Sequence, residues 1–161
     1  MAIEAHISKY KRTNLKIYIG VCVTAAIIFA YDGYLSKYKW SKRYSFYKEH
    51  FIDNGNKPTA TMKFNQMSPL FFIGAAVILG AYLLAVKNKK LTADENELII
   101  SDKEKIAYDS IQKIDKTYFD KKGFFIITYK DKGGREVNCK LSDRTYDNLA
   151  AILEHLVAEI S

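Results

Sequence analysis

Two cysteines in 161 residues, Cys22 and Cys139, are too few to build a disulfide framework. Cys22 falls in an apolar run and Cys139 in a candidate strand, so both read as small buried hydrophobes. Histidine is equally sparse. His6, His50 and His155 are scattered, with no second ligand at metal spacing, which argues against a metal centre. Catalytic signatures are missing too: there is no nucleophile–base pair, no glycine-rich phosphate loop, no HExxH and no CxxC. Acids pair only at Asp94/Glu95, in a turn, and at Asp143/Asp147, where a helix start accounts for carboxylates through its dipole alone. Asp32, near the end of an apolar run, reads as a solvated flank rather than a proton relay. The chain therefore reads as non-enzymatic, with no cofactor and no small-molecule substrate.

Acidic residues are also scarce in one half. Residues 1–90 hold 14 Lys/Arg against 4 Asp/Glu, a net +10, whereas residues 91–161 hold 11 against 14, a net −3. The basic half carries the two long apolar runs. That combination suits an anionic lipid surface, where each nearby Lys or Arg contributes roughly 1 kcal/mol. It suits nucleic acid less well, because the charges bracket hydrophobic segments instead of forming a separate patch.

The longer run, residues 64–86, reads FNQMSPLFFIGAAVILGAYLLAV and has no charge between Lys63 and Lys87. About 20 apolar residues at ~1.5 Å rise suffice to cross a hydrocarbon core, so this is a transmembrane helix by length and composition. Ile17–Tyr31, IYIGVCVTAAIIFAY, is shorter, and Leu15 with Gly33–Leu35 would extend it into a first span over residues 17–35. Lys16 would then snorkel to the headgroups. The rival reading is a secretory signal, against which IIFAYDG offers no small-x-small cleavage pattern. Small residues recur four apart at Ala76/Gly80, Ala81/Ala85 and Gly20/Thr24; they either let the two helices approach closely or simply face lipid.

Residues 1–16 form a short basic segment, and residues 36–63 connect the two runs. The connection interleaves aromatics with cations, as headgroup layers favour. Lys37, Lys39, Trp40, Lys42, Arg43, Tyr44, Tyr47 and Lys48, with Lys87, Lys89 and Lys90 after the second run, are candidate membrane-interface residues. Tyr44, Tyr47 and Phe51 share a helical face, and residues 35–51 read as a helical extension or interfacial helix ending in the turn Asp53–Pro58. Base stacking on these rings is the less natural alternative between two spans. Two spans put both termini on one side of the membrane. Seven Lys/Arg flank the spans on each side, so the charge rule is tied. The Lys87–Lys90 stop and the lack of a disulfide in the domain beyond it favour both termini being cytoplasmic.

From Leu91 the texture changes to short β-rich runs: LTADENELIIS, KEKIAYD, SIQKIDKTYF, GFFIITYK and REVNCKLSD. Asp131–Gly134 and Asp120–Gly123 read as hairpin connections. The final segment, capped at Ser142/Asp143, carries Tyr146, Leu149, Ile152, Leu153, Leu156, Val157 and Ile160 at helical spacing. Five or six antiparallel strands closed by one helix are expected. The fold class is thus an α+β membrane protein, a two-helix hairpin followed by a small antiparallel domain over residues 87–161.

The order LTADENELII, KIAYDSIQKID, KKGFFIITYKDKGG and a terminal amphipathic helix resembles the pleckstrin-homology-like superfold, in particular its bacterial membrane-anchored versions. The resemblance covers residues 90–161. Its most telling segment is IAYDSIQKID, an aromatic-acidic-x-Ile-x-x-Ile turn, and the pattern is one strand short of the usual seven. The resemblance implies an interaction domain, and in some members phosphoinositide binding through cations near the first hairpin. Here that region holds Asp94, Glu95, Glu97, Asp102 and Glu104, relieved only by Lys103 and Lys105. The cationic loops lie elsewhere, at Lys121, Lys122, Lys130, Lys132 and Arg135, as solvated turns or as partner or lipid contacts. Tyr118, Phe119 and Tyr129 either line such an interface or fill the sheet's core. Expected partners are membrane lipids and other membrane protein subunits. A scaffold or accessory subunit of a membrane complex is the function this predicts; a lipid-responsive regulator is the alternative.

Overall fold

The computed structural model describes residues 2–101 and 104–160, so Met1, Asp102, Lys103 and Ser161 lie outside the described residues. The chain is α+β, with two long apolar helices and two antiparallel sheets, and divides into two compact units. One unit gathers the residues up to Thr13 with those from Leu84 onward; the other is Asn14–Leu83.

The first unit begins with a strand in the segment expected to be a short basic stretch. Strand β1, Ile3–His6, pairs antiparallel with β2, Lys90–Ala93, in the register Ile3↔Ala93 to His6↔Lys90. The stretch alternates, with Ala5 and Ile7 turned into the core and Glu4 and His6 outward. Strands β3, Glu97–Ser101, and β4, Glu104–Ala107, complete a four-stranded sheet in sequential order. A second sheet holds β5, Ile111–Asp115, β6, Phe124–Lys130, and β7, Glu136–Ser142. One strand of the four-stranded sheet thus comes from before the first apolar run, where a cationic, polar neighbourhood hides a four-residue strand.

Helix α5, Leu149–Ile160, lays Leu149, Ile152, Leu153 and Leu156 onto a core formed by Ala5, Leu91, Leu98, Ile106, Phe125, Ile127 and Leu141. It begins later than its expected cap at Ser142/Asp143. Ser142 is still paired with Phe124 in β7, and residues 143–148 serve the amino-terminal segment instead. Ile7 bridges to Tyr146, the Ser8 N–H donates to the Thr145 carbonyl at 2.8 Å, and the Asp147 N–H donates to the His6 carbonyl at 2.9 Å. The Asp147 carboxylate does stand at a helix amino terminus, but that of helix α1, Lys9–Ala30, where it accepts from the Lys9 N–H at 3.0 Å. Ser8 caps the same helix through its Oγ, 3.1 Å from the Lys11 nitrogen.

The telling turn is built around Tyr108. Its hydroxyl donates to the Asp94 carbonyl at 2.6 Å and its ring meets His155 edge-on, tying the β2–β3 connection to α5. Burial pushes the Tyr108 hydroxyl up to about 12 from its ordinary 10.0, with Glu159, Asp94 and Glu97 adding to the shift. The neutral phenol is therefore favoured in the folded state. Its contribution is complete below pH 10.0 and is lost as pH rises to about 12. Stability is expected to fall more steeply across that window in the native chain than in Tyr108→Phe, which at neutral pH costs about 1 kcal/mol for the lost hydrogen bond. Chemical denaturation at a series of alkaline pH values measures both effects.

The second unit is helical. Helix α1 widens at its end into a π turn over Tyr31–Leu35, closed by the Ser36 N–H on the Tyr31 carbonyl at 3.0 Å. The connection then folds back through turns up to Arg43. Only Tyr44–Tyr47 (α2) and the π turn Lys48–Ile52 are helical, so the expected helix over residues 35–51 is confined to its second half. The cause is local. Arg43 Nε and an Nη each donate to Asp32 at 2.8 Å, a bidentate clamp that turns the chain back on the end of α1. Helix α3, Ala60–Val86, follows, and begins earlier than residue 64 because Thr59 caps it through the Met62 N–H.

The close approach in this unit is not at Gly20 or Gly80. A Cβ built on Gly20, Gly74 or Gly80 would meet nothing within 4 Å. Contact falls instead at Gly33, whose Cβ would lie 2.7 Å from the Asn65 carbonyl oxygen and 2.9 Å from the Gln66 nitrogen. Gln66 Nε2 donates to the Gly33 carbonyl at 3.2 Å, and the Tyr34 hydroxyl donates to the Gln66 carbonyl at 2.7 Å. Phe29 stacks on Phe72 and meets Phe64 edge-on, both at 5.6 Å.

Candidate functional site

The candidate residues fall into four surfaces, which the fold treats differently. In the connection, Lys37, Lys39, Trp40, Lys42 and Lys48 are exposed, with Trp40 stacked on Tyr38 at 5.6 Å and Lys37 over the Tyr38 ring at 5.2 Å. Arg43 differs from its neighbours. Its bond to Asp32 raises its pKa further, and its guanidinium lies 5.2 Å from the Phe46 ring, so it is a structural clamp. Tyr44, Tyr47 and Phe51 form one aromatic row, with ring separations of 6.1 and 5.1 Å. His50 packs on Phe46 and contacts Thr59 Oγ1.

After α3, Lys87 and Lys89 are exposed and Lys90 starts β2, paired with Glu4 of β1. Three residues, Lys87–Lys89, therefore separate α3 from β2, and two, Ile7 and Ser8, separate β1 from α1. The Ile7 N–H donates to the Lys89 carbonyl at 3.3 Å, so the two connections are themselves hydrogen-bonded.

The hairpin joining β6 and β7 carries Lys130, Lys132 and Arg135. Asp131 organises it, accepting from the Gly133 and Arg135 N–H groups at 2.8 and 2.9 Å and from Arg135 Nε at 3.0 Å. These bonds hold the Asp131 carboxyl below its usual range, the Arg135 backbone bond first among them. Gly134, at φ +75°, makes the turn possible. Arg135 is thus half spent on the turn's own acid.

Lys121 and Lys122 have different company. The segment Asp120–Gly123 joins β5 to β6 as expected, but as a helical turn, α4, Phe119–Lys122, ending on Gly123 at φ +65°. A side chain at Gly123 would collide with the Asp143 carboxylate. Lys122 Nζ lies 4.8 Å over the Tyr118 ring, Tyr118 stacks on Phe124 at 5.4 Å, and Lys140 Nζ lies 3.8 Å over Phe124. Lys121, Lys122, Phe124, Lys140, Ser142 and Arg144 line a shallow cavity of about 280 Å³. Lys140 and Arg144 were not singled out in the sequence. Their only sequence signal is alternation, which places Lys140 on the outward face of β7.

Of the remaining aromatics, Phe119 packs edge-on against Phe125 and Tyr129 joins the core, whereas Tyr118 stays exposed. Cys22 and Cys139 are half-buried, and burial pushes the Cys139 thiol up to about 11. In the acidic β3–β4 region Lys105 pairs with Glu97 at 2.7 Å; Asp102 and Lys103 of that region lie outside the described residues. Comparison with protein-family models, curated proteins and solved structures returns no match.

Proposed function

We propose that this chain is an integral membrane protein of the bacterial inner membrane, in which α1 and α3 cross the bilayer as a hairpin. The β-domain, folded in the pleckstrin-homology-like manner, is held at the membrane surface to bind another subunit. Its work is contact rather than catalysis, as a scaffold or accessory subunit of a membrane complex. The observation that carries the reading is the outward aspect of the two helices. Both are long and apolar enough to span, yet only 11% of each apolar window is buried, and Leu70, Phe71 and Ile78 are each at least 70% exposed. A core helix of a globule would bury those side chains, and a water-exposed surface of that size is costly. Four strands, then three, then a helix support the likeness to the pleckstrin-homology-like domain.

Pairing of β1 with β2 supports both ends of the hairpin emerging on one face, which we assign to the cytoplasm. Thiol labelling tests the assignment. Asp53→Cys, in the exposed turn between the helices, is expected to react with an impermeant maleimide in intact cells, whereas Glu159→Cys on α5 reacts only after permeabilisation. The reverse pattern overturns the orientation, and recovery of the full chain in the aqueous fraction without detergent overturns the membrane reading. The second reading, a lipid-responsive regulator, is favoured by the cations around Phe124.

A further inference from the structure

Four cations converge on one face of the β-domain from three separate segments: Lys121 and Lys122 from α4, Lys140 from β7 and Arg144 from the turn beyond it. Some cations elsewhere are neutralised locally, as in Lys90–Glu4, Lys105–Glu97 and Arg135–Asp131. Among the described residues these four have no carboxylate within ion-pair distance; Asp120 and Asp143 are the acids of the neighbouring sequence. Two stacked rings, Tyr118 and Phe124, lie between Lys122 and Lys140, so the face alternates cation, ring, ring, cation. Apolar ring and positive tip side by side are what a headgroup layer accommodates.

The face also has a fixed address. Arg144 offers its backbone carbonyl to the Ser8 hydroxyl, and Ser8 caps α1, whose first turns add Lys9, Lys11 and Arg12. Arg144 is therefore hydrogen-bonded to the residue that precedes α1 in the chain.

We propose that Lys121, Lys122, Lys140 and Arg144, with Tyr118 and Phe124, form a docking face for anionic lipid headgroups of the bilayer that holds α1 and α3. The inference rests on the membrane reading above. It goes beyond that reading in naming the face that meets the lipid and the charge the lipid must carry. The lipid must be anionic because four positive charges, two of them over rings, outnumber the acids beside them, Asp120 and Asp143, and form no ion pair with either; a neutral surface offers them nothing. An acidic protein partner would meet the same charges, and a lipid-only experiment separates the two.

The full chain, carrying Asp120→Cys in a Cys22→Ala/Cys139→Ala background, is labelled with a fluorophore beside the face. It is then reconstituted into vesicles of phosphatidylcholine alone or mixed with phosphatidylglycerol, each with a headgroup-nitroxide quencher. Quenching is expected to be stronger with phosphatidylglycerol and to fall as salt is raised. The docked-to-undocked ratio should drop about fivefold for each of Lys121→Gln, Lys122→Gln and Lys140→Gln. Lys130→Gln/Lys132→Gln, in the other hairpin, should leave it unchanged. Equal quenching in the two lipids, or an equal loss from the other hairpin, overturns the docking face. The salt series on the labelled parent chain keeps the test decisive if a neutralised variant does not fold. A chain that fails to co-float with either vesicle overturns the membrane reading itself, an outcome distinct from floating with unchanged quenching.

Discussion

A chain beginning at Lys9 is expected to lose the folded β-domain, not merely a frayed terminus. Strand β1 fills one edge of β2 along its whole length, and Ala5 and Ile7 are 0% and 3% exposed. Burying an Ile side chain is worth up to about 3 kcal/mol. The backbone bonds of Ile7, Ser8 and Asp147 to residues across the joint add roughly 1 kcal/mol each. Against a total stability on the order of 5–15 kcal/mol for a domain, that loss is decisive. It also leaves Leu91, Ala93 and part of the α5 stripe facing water beside an unpaired strand edge. A polypeptide of residues 87–160 should therefore show poor amide dispersion by NMR and no cooperative melt. Joining residues 2–8 to residues 88–160 through a short Gly/Ser linker in place of the helices should restore both. If the fragment without β1 melts cooperatively at the same temperature as the joined one, the amino-terminal strand is dispensable and this account of the domain is wrong. Ala5→Asp, which buries a carboxylate with no partner, is expected to act in the same direction.

Gly33→Ala is the second large effect, and its size follows from which atoms stand in the way. The added methyl would sit 2.7–2.9 Å from the Asn65 carbonyl oxygen and carbon and the Gln66 nitrogen, all backbone atoms of α3 that no rotamer change can move. The helix ends must part. In doing so they strain the hydrogen bonds of Gln66 to Gly33 and of Tyr34 to Gln66. Overpacking costs typically about 1–3 kcal/mol, and Gly33→Val should exceed that. Gly74→Ala and Gly80→Ala meet open space and should stay within about 0.5 kcal/mol, the extra helix propensity of Ala working in their favour. Unfolding of the full chain in mixed micelles, followed by helix content, measures all four. Equal effects at Gly33 and Gly80 would mean that the two helices do not meet where the structure has them meet.

Much of the plan was readable in the residues. The apolar runs became α1 and α3, Asp131–Gly134 became the β6–β7 hairpin, and the stripe Leu149, Ile152, Leu153 and Leu156 became the buried face of α5. These are local signals, carried by period, turn chemistry and length. What was not readable is what joins distant residues. Lys140 and Arg144 carry no motif, and they meet Lys121 and Lys122 only because β6 and β7 pair in the register Phe124↔Ser142. Asp147 was legible as a helix-capping acid but not as the cap of a helix that starts 138 residues earlier.

By itself the sequence determined the two long apolar helices, the antiparallel β-rich domain and its closing helix, because each depends on neighbours a few residues apart. Only the tertiary structure decided that the domain is assembled from both sides of those helices, with β1 before them and β2 after. Strand pairing is a bargain between edges: a four-residue strand has no identity until a partner strand offers its unpaired N–H and C=O groups, and the partner here lies beyond both helices.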